Sequence, residues 1–108
     1  MANTFKLKTK ANVGVATVGI YTAPASTTTV VIGITLANTS GAGCNVGVGV
    51  TRGTGEDIKL LKDAPVPQGS SLEFMGGNKV VLEATDTVTV DSDTNNSIDA
   101  ALTIMEIT

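Results

Sequence analysis

Period-two alternation of small β-branched residues is the feature that most restricts this chain. In "TVVIGITLA" (residues 29–37) Val30, Ile32, Ile34 and Leu36 fall on one face, and Val31, Gly33, Thr35 and Ala37 on the other. "NVGVGVT" (45–51) sets Val46, Val48 and Val50 against Gly47 and Gly49. Side chains alternate across a strand, so this pattern describes pleated sheet with one face turned to a core. No segment sustains a 3.6-residue apolar period over three turns. Apolar residues make up 42% of the chain but aromatics only 3%, with no Trp, so Val, Ile, Leu and Ala must build the core.

The alternation recurs along the chain. "TFKLKTK" sets Phe5 and Leu7 against Lys6, Lys8 and Lys10; "DIKLLK" offers Ile58 and Leu60; "SLEF" offers Leu72 and Phe74; "KVVLEA" offers Val80 and Leu82. "DTVTVD" offers Val88 and Val90, and "SIDAALTIMEIT" offers Ile98, Ala100, Leu102 and Ile104. Turn signals separate these runs: Pro24-Ala25-Ser26, Asn38 to Gly41, Arg52 to Gly55, Pro65 to Gly69, Gly76-Gly77-Asn78, Thr85-Asp86 and the Asp91–Ser97 loop. The expectation is an all-β, single-domain antiparallel β-sandwich or jelly roll of about eight strands. Residues 1–10 read either as an N-terminal arm or as the first strand, and residues 11–108 as the sandwich. An arm would bury Phe5 and Leu7 in an apolar groove and use the lysines for electrostatic docking.

The outward positions are unusual. Ala101, Met105 and Ile107 face away from Leu102 and Ile104, with only Thr103 as a polar break. A small two-layer domain rarely buries a strand on both faces, so another subunit is expected to cover this one. The interface candidates are therefore Phe5, Lys6, Leu7, Lys8, Lys10, Ala101, Met105 and Ile107. Charge is also uneven. The net charge of −3 divides into +4 over residues 1–62 and −7 over residues 63–108, an asymmetry able to steer one copy onto another or onto an acidic surface.

Little in the chain suggests chemistry. With no His, Ser–His and Cys–His nucleophilic machinery is excluded. Cys44, the only cysteine, can form neither an internal disulfide nor a multi-cysteine metal site. No Walker A or GxGxxG motif occurs. An enzyme is not expected, and neither is a cofactor. "DSDTNNSID" spaces Asp91, Asp93, Asn95 and Asp99 as positions 1, 3, 5 and 9 of a calcium loop. Asn96 stands where that loop needs Gly, and Leu102 where it needs Glu, so a polar hairpin loop is the competing reading. Scarce aromatics weigh against sugar and nucleic-acid binding. No apolar run is long enough for a membrane helix, and "MANTFKLKTK" lacks the apolar region of a secretory signal.

The order of motifs resembles small virion structural proteins of tailed bacteriophages, including those of T4-like cyanophages. The resemblance lies in Tyr21 to Ala25, Val30 to Thr39, Pro67 to Ser70, Val81 to Asp86 and Leu102 to Glu106. Thr85 departs from it, standing where glycine is expected before Asp86. The resemblance implies a non-enzymatic β-sandwich module of the virion, made in the host cytoplasm. A capsid decoration (cement) protein is the first expectation, homo-oligomeric with a trimer favoured, bound to the major capsid protein or another virion protein. A tail, collar or fibre component is the alternative, and a calcium- or carbohydrate-binding sandwich a second.

Overall fold

A computed structural model describes residues 3–74 and 79–108, and the described residues contain nine strands and no helix. They are β1 (Asn3–Val13), β2 (Val18–Thr22), β3 (Thr28–Asn38), β4 (Cys44–Thr51), β5 (Asp57–Val66), β6 (Ser71–Phe74), β7 (Val80–Leu82), β8 (Thr87–Ser92) and β9 (Ile98–Ile107). The turn expected at Gly76-Gly77-Asn78 lies outside the described residues.

All pairings are antiparallel and form two sheets. One sheet runs β1-β9-β3-β6, with β7 also paired to β3, and the other runs β2-β8-β4-β5. The all-β sandwich expected from the alternation is what the chain forms. The first and last strands are neighbours in register, from Asn3 opposite Ile107 to Lys10 opposite Ala100. β9 lies between β1 and β3 and has no free edge.

The inner faces meet in an aliphatic core. Ile34, Leu36, Leu82, Ile98, Leu102 and Ile104 come from the first sheet, and Val46, Val48, Val50, Val88 and Val90 from the second. Cys44 is buried and free.

Register shifts interrupt β1, β2, β3 and β5, and in β3 and β5 they move residues expected inside. In β3 the register with β9 shifts between Val31 and Gly33. Val31 is buried while Val30 and Ile32 are only half-buried. The expected face of Val30, Ile32, Ile34 and Leu36 is therefore wrong in its first half. A bulge adds one residue to one strand and inverts every side chain beyond it. The buried set is Thr29 and Val31, then Ile34, Leu36 and Asn38. β5 carries two register shifts against β4, and Ile58, expected inside, is 40% exposed. These irregularities bring β5 backbone against β4: an added Cβ at Gly49 would lie 2.6 Å from the Ile58 carbonyl oxygen. Glycine stands on that strand because another backbone approaches it closely.

Turn chemistry accounts for other positions. Thr85 has φ +73°, the left-handed region that glycine adopts without strain. The backbone conformation implied by a glycine there is thus kept although the residue is Thr. Thr85 N–H donates to the Ala23 carbonyl at 2.9 Å, and Ala23 N–H to the Asp86 carbonyl at 2.9 Å, tying this turn to the Pro24 corner. Asn38 locks the turn after β3. Its amide donates to the carbonyls of Ala42 and Val66, both at 2.9 Å, and its Oδ1 accepts from Ser40 N–H and Oγ.

Candidate assembly face

The register fixes which side chains share the outer face of the five-stranded sheet. One row across it is Phe5, Met105, Val30 and Val81; the next is Leu7, Thr103 and Gly33; the third is Thr9, Ala101 and Thr35. Phe5 is 69% exposed, Leu7 64% and Val81 57%, with Val30, Met105 and Ile107 half-buried on the same side. Along the strands the face changes character. The Phe5 end is bulky. At the other end Thr9, Ala11, Thr35, Ala37, Ala100 and Ala101, with the charged Lys10 and Asp99, surround a shallow hollow of about 340 Å³. Two charged residues are turned outward among the described strand residues, Glu73 of β6 opposite Thr35 and Asp99 opposite Ala37, and the Asp99 Oδ1 accepts the Asn12 N–H at 3.0 Å.

Of the interface candidates, Phe5, Leu7, Ala101, Met105 and Ile107 lie together on this face. Lys6, Lys8 and Lys10 do not. They oppose Ile104, Leu102 and Ala100, residues of the inner face. The alternation within "TFKLKTK" is kept, but the apolar side faces outward and is exposed, where an arm would have buried it in a groove. β1 is an edge strand that the second sheet covers incompletely, so long basic side chains can lie along the rim with their heads in water. Lys8 Nζ stands 6.0 Å from the centre of the Tyr21 ring.

Lys6 reaches a buried polar cluster that the sequence reading did not single out. Its Nζ is 2.8 Å from Glu106 Oε1. Tyr21 donates its hydroxyl to Glu106 Oε2 at 2.6 Å, leaving the Thr29 hydroxyl to donate to the Tyr21 oxygen at 2.8 Å. The hydrogen bonds from Lys6 and Tyr21 hold the Glu106 carboxyl below its ordinary range against the opposing effect of burial. Burial, reinforced by Glu106, pushes the Tyr21 hydroxyl up to about 12. A signal was present: Glu106 continues the inward series Ile98, Ala100, Leu102, Ile104, and an acid at an inward position needs partners.

A second cluster lies at the same end of the sandwich, next to Leu82, which pairs with Thr29. Arg52 lies 2.6 Å from Glu83 and 3.0 Å from Asp86. Burial pushes the Asp86 carboxyl up, but the N–H groups of Gly53 and Glu83, with Arg52, more than reverse this and hold it below the usual range.

The calcium-loop candidates do not converge. Asp91 accepts from Thr17 Oγ1, Asp93 from Asn45 N–H, Asn95 from Val15 N–H and Asp99 from Asn12 N–H. Each fastens the loop or its flank to a different stretch of backbone or side chain. Among the described residues no group of three or more His, Cys, Asp or Glu side chains is placed to hold a metal ion.

Neither a family model nor a curated protein matches the sequence. Solved structures share the fold. A chain from the acid-stable capsid of Helicobacter pylori bacteriophage KHP30 superposes with a TM-score of 0.61 at 9% identity, over 98% of this chain and 87% of that one. A chain from the disulfide-linked pili that form Bacillus endospore appendages gives 0.60 at 16% identity, over 99% and 87%. A chain of infectious bursal disease virus, Gx strain, gives 0.55 at 12% identity, over 95% of this chain but 32% of its own length. The architecture is thus one found in subunits of capsids and of a pilus.

Proposed function

We propose that the chain is a non-enzymatic structural protein of a virion, and that its work is done by surfaces rather than by a reactive site. The observation that carries this reading is the outer face of the five-stranded sheet. It exposes Phe5, Leu7 and Val81 beside half-buried Val30, Met105 and Ile107, and its strands turn outward only two described charged residues, Glu73 and Asp99, both toward the other end. A contiguous apolar sheet face of this kind marks an assembly surface. The likeness to capsid chains supports the same reading at the level of fold.

Within it, a capsid decoration protein is the finer proposal, bound to the major capsid protein and gathered in threes where a shell offers local threefold axes. A tail, collar or fibre component is the second reading, and the likeness in fold to a pilus subunit supports it. Electron microscopy of virions bearing a gold-labelled form of the chain separates the two: label over the shell supports decoration, and label confined to the tail supports the second. Absence of label from purified virions overturns both.

A further inference from the structure

We infer that the outer face of the five-stranded sheet pairs with the same face of a second copy of this chain, about a two-fold axis across the strands at Leu7. This rests on reading that face as an assembly surface and names its occupant.

The warrant is that the face carries both a projection and its receptacle. Rows along the strands are two residues apart, roughly 7 Å. Phe5 stands one row to one side of Leu7, and Thr9 one row to the other, beside Ala101 and Thr35. Two sheets stacked by a two-fold axis in their common plane can align in two ways. An axis along the strands sets bulky end on bulky end. An axis across the strands at the Leu7 row reverses strand direction and leaves β1 over β1. Phe5 of each copy then lies above the hollow lined by Thr9, Ala11 and Ala101 of the other. Leu7 meets its own counterpart on the axis. An isologous contact needs this self-complementarity.

Area agrees, and the two carboxylates of the face, Glu73 and Asp99, stand at its hollow end, off the Leu7 row. Four strand positions at about 4.8 Å and about ten residues at about 3.3 Å give roughly 630 Å² of plan area per copy, within the range of specific interfaces. The small residues at the hollow permit the ~10 Å spacing of stacked sheets. Edge-to-edge association through β1 is opposed, because inward-pointing charges on an edge strand obstruct an added strand, and Lys6, Lys8 and Lys10 supply them. On a shell, the pair joins copies from neighbouring threefold clusters.

The test uses the full chain. Sedimentation equilibrium across a concentration series is expected to show monomer and dimer. Ala101→Arg fills the hollow and is expected to weaken dimerisation at least tenfold while leaving the melting temperature of dilute monomer unchanged. Leu7→Cys, on the axis, is expected to form covalent dimers with a short bismaleimide. Val81→Cys, equally exposed but off the axis, is not, and the unmodified chain with buried Cys44 is the control. A chain that stays monomeric at millimolar concentration, a trimer, or equal cross-linking of both cysteine variants overturns the inference. Those results leave virion labelling to decide the function on its own. Dimers formed by a chain absent from virions would sink the function and keep the pair.

Discussion

Replacing Glu106 by Gln tests the inner polar cluster. Gln keeps the shape and can still accept from Tyr21, but the substitution removes the charge and turns an NH₂ donor toward Lys6 or Tyr21, which are themselves donors. A buried hydrogen bond to a charged group contributes about 1.5–3 kcal/mol. The ion pair to Lys6 adds well under 1 kcal/mol, because Lys6 is 42% exposed and screened by water. E106Q is therefore expected to cost about 2 kcal/mol at pH 7, a drop of roughly 8 °C in melting temperature for a domain of this size. The cost must depend on pH. The folded-state pKa of Glu106 is depressed, so the folded protein releases this proton more readily than the unfolded chain does. Its contribution is fully present above the unfolded value near pH 4.3 and is lost as pH falls through the folded value. Below that, wild-type Glu106 is protonated and resembles Gln. Thermal melts of both proteins between pH 2 and 7 should converge on acidification, and Asp86, common to both, cancels in the difference. A gap as wide at pH 2 as at pH 7, or an E106Q protein more stable at neutrality, refutes the assignment.

Leu102→Ala, at a fully buried site, should cost about 2–5 kcal/mol by urea denaturation, whereas Met105→Glu on the outer face should leave dilute-monomer stability nearly unchanged; equal losses would show that the faces are misassigned. Gly49→Ala should cost about 1–3 kcal/mol, since its Cβ meets the Ile58 carbonyl at 2.6 Å, while Gly43→Ala, with no neighbour nearer than 3.8 Å, should be near neutral by the same assay. Thr85→Gly should raise the melting temperature by a few degrees in calorimetry: relief of about 1–2 kcal/mol of left-handed strain outweighs the roughly 0.4–1 kcal/mol that glycine's unfolded-state freedom removes. A lowered melting temperature would mean that the Thr85 side chain makes a compensating contact.

Strand identity was legible in this sequence because period-two patterning is local. The inward apolar residues of "NVGVGVT" (Val46, Val48, Val50) and "SIDAALTIMEIT" (Ile98, Ala100, Leu102, Ile104) were legible and are all buried, since neither β4 nor β9 carries the extra residue of a bulge. The first half of β3 was not legible, because "TVVI" contains three consecutive β-branched apolar residues. No propensity decides which of Val30, Val31 and Ile32 is the extra one; the β9 partner decides it through the register. The two faces of β1 were also visible as two faces, but which was inside was not. Lysines normally face water, and here the incomplete cover of an edge strand lets them point inward and still reach it. Glu106 and Asn38 belong to a third kind. Both interrupt an inward apolar series in the sequence, and their partners come from Lys6, Tyr21, Ala42 and Val66, up to a hundred residues away.

The charge asymmetry between the halves acquires a different meaning once the strands are paired. Read alone, +4 followed by −7 suggests attraction between copies or to an acidic surface. Among the described residues, Lys6 pairs with Glu106, Arg52 with Glu83 and Asp86, and Lys59 approaches Asp91. Each of these contacts joins a cation of the first half to an acid of the second. The topology requires this, because β1 is hydrogen-bonded to β9, β2 to β8 and β4 to β8, so the halves interleave strand by strand. Pairings so distant in sequence must meet the entropy of closing long loops before any contact rewards them. Opposite charge on the two halves favours those encounters over pairing within a half, at a range that apolar contacts lack. Three of the six cations of the first half, Lys6, Arg52 and Lys59, are engaged inside the fold in this way. On the outer face of the five-stranded sheet, the surface proposed for a partner, the Phe5 and Leu7 rows are uncharged and the carboxylates Glu73 and Asp99 are confined to the hollow end.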